Sequence, residues 1–172
     1  MNNDGSIEQK MFEARRRTLR IVLVLSMIGS GFYFINHAIT GIAQPAMKSA
    51  YESGAIKLSE QMATYTVAIE QMLETPRSFF LCSALLYGMS LCGAILMWNL
   101  RKSGFHMYTL AQMLILLIRV LFLGRESLPL GDIMLTILFV LYYYISLRNL
   151  GVFNRTVVTE GPIEENNNDD EE

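Results

Sequence analysis

The chain has 172 residues, 52% of them hydrophobic, with 14 Lys and Arg against 16 Asp and Glu for a net charge of −2. Long apolar stretches carry that hydrophobicity, which sets the chain apart from a soluble domain with a single anchor. Its basic residues abut an apolar run instead of covering a folded face, so nucleic acid is excluded as the expected partner and the lipid bilayer takes its place.

Residues 1–20 form a basic N-terminus in which Lys10, Arg15, Arg16, Arg17 and Arg20 precede the first apolar segment. That segment, residues 21–43, holds a Gly29-Ser30-Gly31 step at its middle and Asn36 and His37 in its second half. A hydrocarbon core of about 30 Å needs roughly 20 helical residues, and the segment supplies them. The basic stretch, the apolar core and Gly41-Ile42-Ala43 also imitate a signal peptide. The length of both the n-region and the apolar run favours an uncleaved span.

Residues 44–76 change character. Apolar side chains recur by threes and fours at Met47, Tyr51, Ala55, Leu58, Met62, Tyr65, Ile69 and Met72, while Lys57, Glu60, Glu70 and Glu74 take other faces. The spacing predicts an amphipathic helix, or two broken near Gly54, ending ahead of Pro76. Three roles stand for the stripe: lying on the outer bilayer surface, docking on its own bundle, or contact with a second copy of the chain or another membrane protein.

Further spans are predicted over 78–100, 105–123 and 130–147. Cys82 and Cys92 are ten positions apart on one helix, about 15 Å along its axis, too far for a disulfide, and are read as packing residues. Ala84, Gly88 and Cys92 recur every fourth position and match Ser26 and Ser30 of the first span, which predicts a close seam between the two. Residues 148–172 form a tail with seven acids from Glu160 onward. It has too little apolar surface to order itself. With the N-terminus in the cytoplasm, nine basic residues lie inside and four outside, apart from Arg119. Both termini are therefore expected on the cytoplasmic side of an inner membrane, with 44–76 outside and Trp98 and the Tyr142-Tyr143-Tyr144 run near the inner headgroups.

Arg119 is the anomaly. It stands in an otherwise apolar run, where a charge at bilayer depth costs at least about 2.5–3.5 kcal/mol. Asp132 lies just inside the next span, and the short link predicts an antiparallel hairpin with both residues at similar depth. Three roles remain open for Arg119: a bridge to Asp132 that pins two helices, a cationic site for an anionic substrate or lipid headgroup, or snorkelling to the outer interface. Asn36 and His37 complete the candidate polar site of Arg119, Asp132, His37 and Asn36. Histidine there serves either as a proton relay or as a hydrogen-bonded structural residue. The chain has no HExxH, no GxSxG, no Walker glycine loop and no spaced His and carboxylate ligands, so no catalytic, cofactor or metal residue is assigned.

Residues 93–112, from Gly93 through Trp98-Asn99-Leu100-Arg101-Lys102-Ser103-Gly104-Phe105 to Tyr108 and Gln112, form a hairpin pattern. The pattern resembles the central hairpin of small uncharacterised four-span membrane proteins of Bacteroidota and related bacteria. The likeness covers the last three spans and carries no activity or site with it. Its physical basis is plain: Trp98 anchors at the interface, Arg101 and Lys102 hold the turn in the cytoplasm, and Gly104 relaxes it.

The expected fold is therefore all-α, a four-helix transmembrane bundle with an extracytoplasmic amphipathic segment between the first two spans. The expected role is accessory, structural or interactive, exerted through helix packing. The alternative is a small transporter or channel subunit using Arg119, Asp132 and His37, with an intramembrane enzyme third.

Overall fold

A computed structural model describes residues 3–54, 63–124 and 130–154, and every element among them is helical. In chain order these are α1 (Asn3–Glu52), α2 (Ala63–Glu74), α3 (Arg77–Trp98), α4 (Lys102–Leu123), α5 (Leu130–Asn149) and a final 3-10 turn, Val152–Asn154. The chain is all-α. Four of its helices, all but the short α2, are long and apolar enough to cross a membrane.

The first helix departs from expectation. Its 50 residues make it about 75 Å long at 1.5 Å per residue, more than twice the hydrocarbon thickness. It absorbs the basic N-terminus, the span expected over 21–43 and the start of the amphipathic segment, so Met47 and Tyr51 belong to α1. Pro45 lies inside the helix and brings no N–H, which leaves the Gly41 carbonyl without its helical donor. Arg77 supplies the replacement, its Nε donating to Gly41 O at 2.9 Å. The adjacent Gln44 is buried, and its Nε2 donates to the carbonyl oxygens of Met72 at 3.1 Å and Thr75 at 2.5 Å. One turn of α1 thus satisfies the last carbonyls of α2 and receives the first side chain of α3.

Beyond that turn α1 ends at Glu52, and Gly54 takes a left-handed φ of 70° that glycine adopts without steric cost. The Tyr51 hydroxyl donates to the Glu70 carboxylate at 3.0 Å, joining the end of α1 to α2. That hydrogen bond and the carboxylate's charge raise the phenol above its usual pKa. Of the predicted stripe, Ile69 and Met72 are half-buried. Ala55, Leu58 and Met62 lie outside the described residues, as does the tail from residue 155.

Helices α3 and α4 make the tightest contact. Their turn is a Schellman motif in which Leu100 N donates to Met97 O and Arg101 N to Leu96 O, at 2.9 and 3.1 Å. Leucine fills the left-handed position, with φ 54°. A Cβ on Gly104 would fall 2.6 Å from Met97 N and 2.7 Å from Gly93 O; one on Gly93 would fall 2.7 Å from Tyr108 N. Gly104 was expected to relax the turn. It is instead a helical residue, buried where two backbones touch.

The predicted seam between the first and second spans also shifts. Ala84 is buried and Gly88 faces the Phe34 ring, but Cys92 is exposed and outside the contact. Ser26 bonds to Tyr143 of α5 at 2.5 Å, while Ser30 bonds across the seam to Ser90 of α3. Tyr143, expected in an interfacial belt, is fully buried with Leu19, Leu23, Met97, Tyr108 and Leu147. Trp98 lies under the Arg20 guanidinium, 5.2 Å from its ring centre. The buried polar residues are serines and a glutamine, whereas Leu85, Ile28, Leu121, Met134 and Leu138 are all more than half exposed. Such an inside-out distribution suits a hydrocarbon solvent.

Gly104→Ala is expected to lower unfolding stability in detergent by about 1–3 kcal/mol, because the added methyl meets backbone on both sides. A Cβ on Gly29 meets nothing within 4 Å. Gly29→Ala should therefore be neutral or stabilising by up to about 1 kcal/mol through helix propensity. Equal effects from the two substitutions would contradict the packing described.

Candidate functional site

The fifth helix is held to the others at two levels. Near its C-terminal end, Tyr143 and Leu147 enter the core formed with α1, α3 and α4. At its start, Asp132 Oδ2 accepts from Arg119 Nη1 at 2.5 Å. The two levels are 11 residues apart on α5, or about 16 Å at helical rise. Between them lies a cleft of about 470 Å³.

Its walls are mixed. α1 contributes Ser26, Ser30 and Tyr33, α3 contributes Tyr87, α4 contributes Tyr108, Gln112 and Arg119, and α5 contributes Asp132 and Thr136. Leu25 and Ile28 of α1 and Leu135 of α5 also line it, and each is more than half exposed on the outer surface. The cleft therefore opens sideways between α1 and α5, toward the lipid. Its floor is tied together by neutral hydrogen bonds: Ser30 and Ser90 share one at 3.1 Å, and Gln112 Nε2 donates to Ser90 Oγ at 2.9 Å. Tyr143, which bonds to Ser26 of the cleft wall, also donates its OH to Val22 O at 3.2 Å.

The structure separates the four candidate residues. Arg119 and Asp132 meet directly at one end of the cleft, with Tyr87 beside the guanidinium. Their side chains are 23% and 47% exposed, which places the pair at the rim and not in the core. His37 is close by but not in the cleft wall. Its Nδ1 is bonded to Tyr33 O at 2.9 Å, and its ring packs among Phe79, Phe80 and Tyr87 at centroid distances of 5.3–6.2 Å. Asn36 is exposed and lines neither the cleft nor that aromatic group.

The polar residues near Arg119 and Asp132 that sequence reasoning missed share a visible signal with them. Ser26, Ser30 and Tyr33 lie at helical intervals on α1, as do Tyr108, Gln112 and Arg119 on α4 and Asp132, Thr136 and Tyr143 on α5. Each polar stripe marks the helix face turned from lipid. Tyr33 and Tyr87 then stack across α1 and α3 with centroids 5.1 Å apart and planes at 17°. Among the described residues no His, Cys, Asp and Glu group fits a metal ion. The cleft offers hydroxyl and amide groups that both donate and accept, beside one compensated charge pair. Such groups can hydrogen-bond either a donor or an acceptor.

No protein-family model, no curated protein and no solved structure matches this chain.

Tyr143→Phe removes the hydroxyl that meets Ser26 and Val22 O. It is expected to cost about 0.5–1.5 kcal/mol in detergent unfolding. In a double-mutant cycle with Ser26→Ala, the two changes should cost less together than the sum of their separate effects, and strict additivity would deny the contact.

Proposed function

We propose that the protein is a non-enzymatic, multi-span protein of a bacterial inner membrane, with both termini cytoplasmic, in an accessory role exerted through helix packing. The Lys and Arg bias supports that orientation, and the likeness of the hairpin over 93–112 to small bacterial four-span proteins supports the membrane. The observation that carries the role is the Arg119–Asp132 bridge, which fastens α5 to α4 beside an open cleft. Pairing offsets part of the desolvation cost of each charge and makes the position of α5 depend on both. The half-buried Ile69 and Met72 on α2 support contact of that helix with its own bundle, and α5, with most of its apolar side chains exposed, offers a face to lipid or to another membrane protein.

A second reading, a small transporter or channel subunit, is favoured by one feature: Arg119 and Asp132 line a cleft with seven neutral polar side chains. His37 gives it little support as a proton relay, because the half-buried imidazole packs against aromatic rings and lies outside the cleft wall.

Charge reversal tests the role of the bridge. Arg119→Asp and Asp132→Arg are each expected to lower unfolding stability by about 1.5–3 kcal/mol, and the double reversal should recover most of the loss. If both single variants unfold like the wild type, the bridge is not what holds α5. Anion or proton flux in liposomes containing the purified wild-type protein, lost in Arg119→Asp, would favour the transport reading instead.

A further inference from the structure

We propose that the cleft between α1 and α5 binds one membrane amphiphile with an uncharged, hydroxyl-bearing head group, whose hydrocarbon chain leaves between the two helices into the bilayer. The site goes beyond the packing role: its presence depends on the cleft, and the charge of its head group on the Arg119–Asp132 pairing.

Four observations converge on it. First, the volume of about 470 Å³ is far above a packing void and within the range of pockets that hold small molecules, roughly 300–1,000 Å³. Second, the rim is apolar and exposed at Leu25, Ile28 and Leu135, so the entrance faces hydrocarbon and the visitor arrives by lateral diffusion in the membrane. Third, the interior gathers hydroxyl and amide groups from four helices: Ser26, Ser30, Tyr87, Gln112 and Thr136 among them. Ser26, Ser30 and Gln112 already hold partners within the bundle, at Tyr143 and Ser90, and each keeps further donor or acceptor capacity. Groups that both donate and accept are matched by a ligand hydroxyl, which does the same.

The fourth observation decides the charge of the head group. The Arg119 guanidinium at the end of the cleft is already answered by the Asp132 carboxylate at 2.5 Å, so the site as a whole is neutral. An anionic head would have to compete with Asp132 for Arg119, and a cationic head with Arg119 for Asp132. An uncharged head enters without breaking the bridge. A glycerol-sized head with one free hydroxyl, as in a diacylglycerol, fits these conditions, with most of its two acyl chains remaining outside between α1 and α5.

The test uses the full chain reconstituted in phosphatidylcholine liposomes with a diacylglycerol carrying a photoreactive diazirine in its acyl chain. Peptide mapping should place the adducts on the cleft rim, around Leu25, Ile28 and Leu135, and excess unlabelled diacylglycerol should reduce them at least fivefold. Gly29 lines the cleft, and a Cβ there meets nothing within 4 Å, so Gly29→Leu is expected to occupy the site at little cost to the fold. It should reduce rim labelling by a similar factor while its unfolding in detergent stays at or above the wild-type midpoint. Thr136→Val, a second variant, removes a polar partner at nearly constant shape and should weaken competition by the unlabelled lipid.

Labelling spread evenly over all lipid-facing helices, indifferent to competitor and to Gly29→Leu, would reduce the contact to ordinary annular lipid and overturn the site. Stronger competition by phosphatidic acid than by diacylglycerol would overturn the uncharged head group. The labelling result does not bear on the bridge, since Gly29 and Thr136 take no part in it, and failure of the charge-reversal rescue would leave it standing; only the head-group comparison reads the Arg119–Asp132 pairing.

Discussion

The close approach of α3 and α4 at Gly93 and Gly104 is the contact on which the remainder of the bundle rests. In lipid there is little hydrophobic gain from bringing two apolar helices together, so packing at short range and hydrogen bonding between helices must do the work. Two glycines let the backbones touch, and the Schellman turn at Leu100 sets the angle at which they do so. Met97 and Tyr108 on either side of the contact then become fixed points for the buried cluster that receives Leu19 and Leu23 from α1 and Tyr143 and Leu147 from α5. The other helices are laid on this pair.

The first helix is fastened to it along its length by different chemistry at each level. Ser30 meets Ser90, Tyr33 stacks on Tyr87, and His37 joins an aromatic group with Phe79 and Phe80. At residues 41–45 the backbone itself takes part. Pro45 would be a defect in an isolated helix. Here the carbonyl it leaves unpaired is the acceptor for Arg77, and Gln44 next to it satisfies the end of α2. The position of Arg77, immediately after Pro76, links a break in one helix to the start of another.

Helix α5 has no such continuous fastening. It is anchored by Tyr143 and Leu147 at one level and by Asp132 at the other, and the space between is the cleft. The cleft and the bridge therefore have one origin: a helix tied at two points to a compact three-helix frame. This changes the standing of Arg119. As a lone charge in an oily run it suggested a cationic site for an anionic substrate; at the rim of a neutral cleft, paired with a carboxylate, it is a tie that also borders the cleft.

Much was written in the primary sequence. Four apolar stretches of about 20 residues determine four spanning helices, since hydrocarbon leaves the backbone no other local way to pair its polar groups. The separation of Arg119 from Asp132 across a short link determines that the two stand at similar depth. The polar stripes of α1, α4 and α5 were also there, at helical spacing. What the sequence could not decide was where these stripes point relative to each other, because helix rotation and tilt follow from side-chain packing among distant segments. Whether Gly104 loosened a turn or sat in a backbone contact, whether Pro45 ended a helix, and whether Tyr143 belonged to an interface or to the core all depended on partners far away along the chain. Asn36 and His37 show the same limit. They are neighbours in sequence, yet about 100° apart around α1, and only the packing of α3 determined that one packs against rings while the other is left exposed.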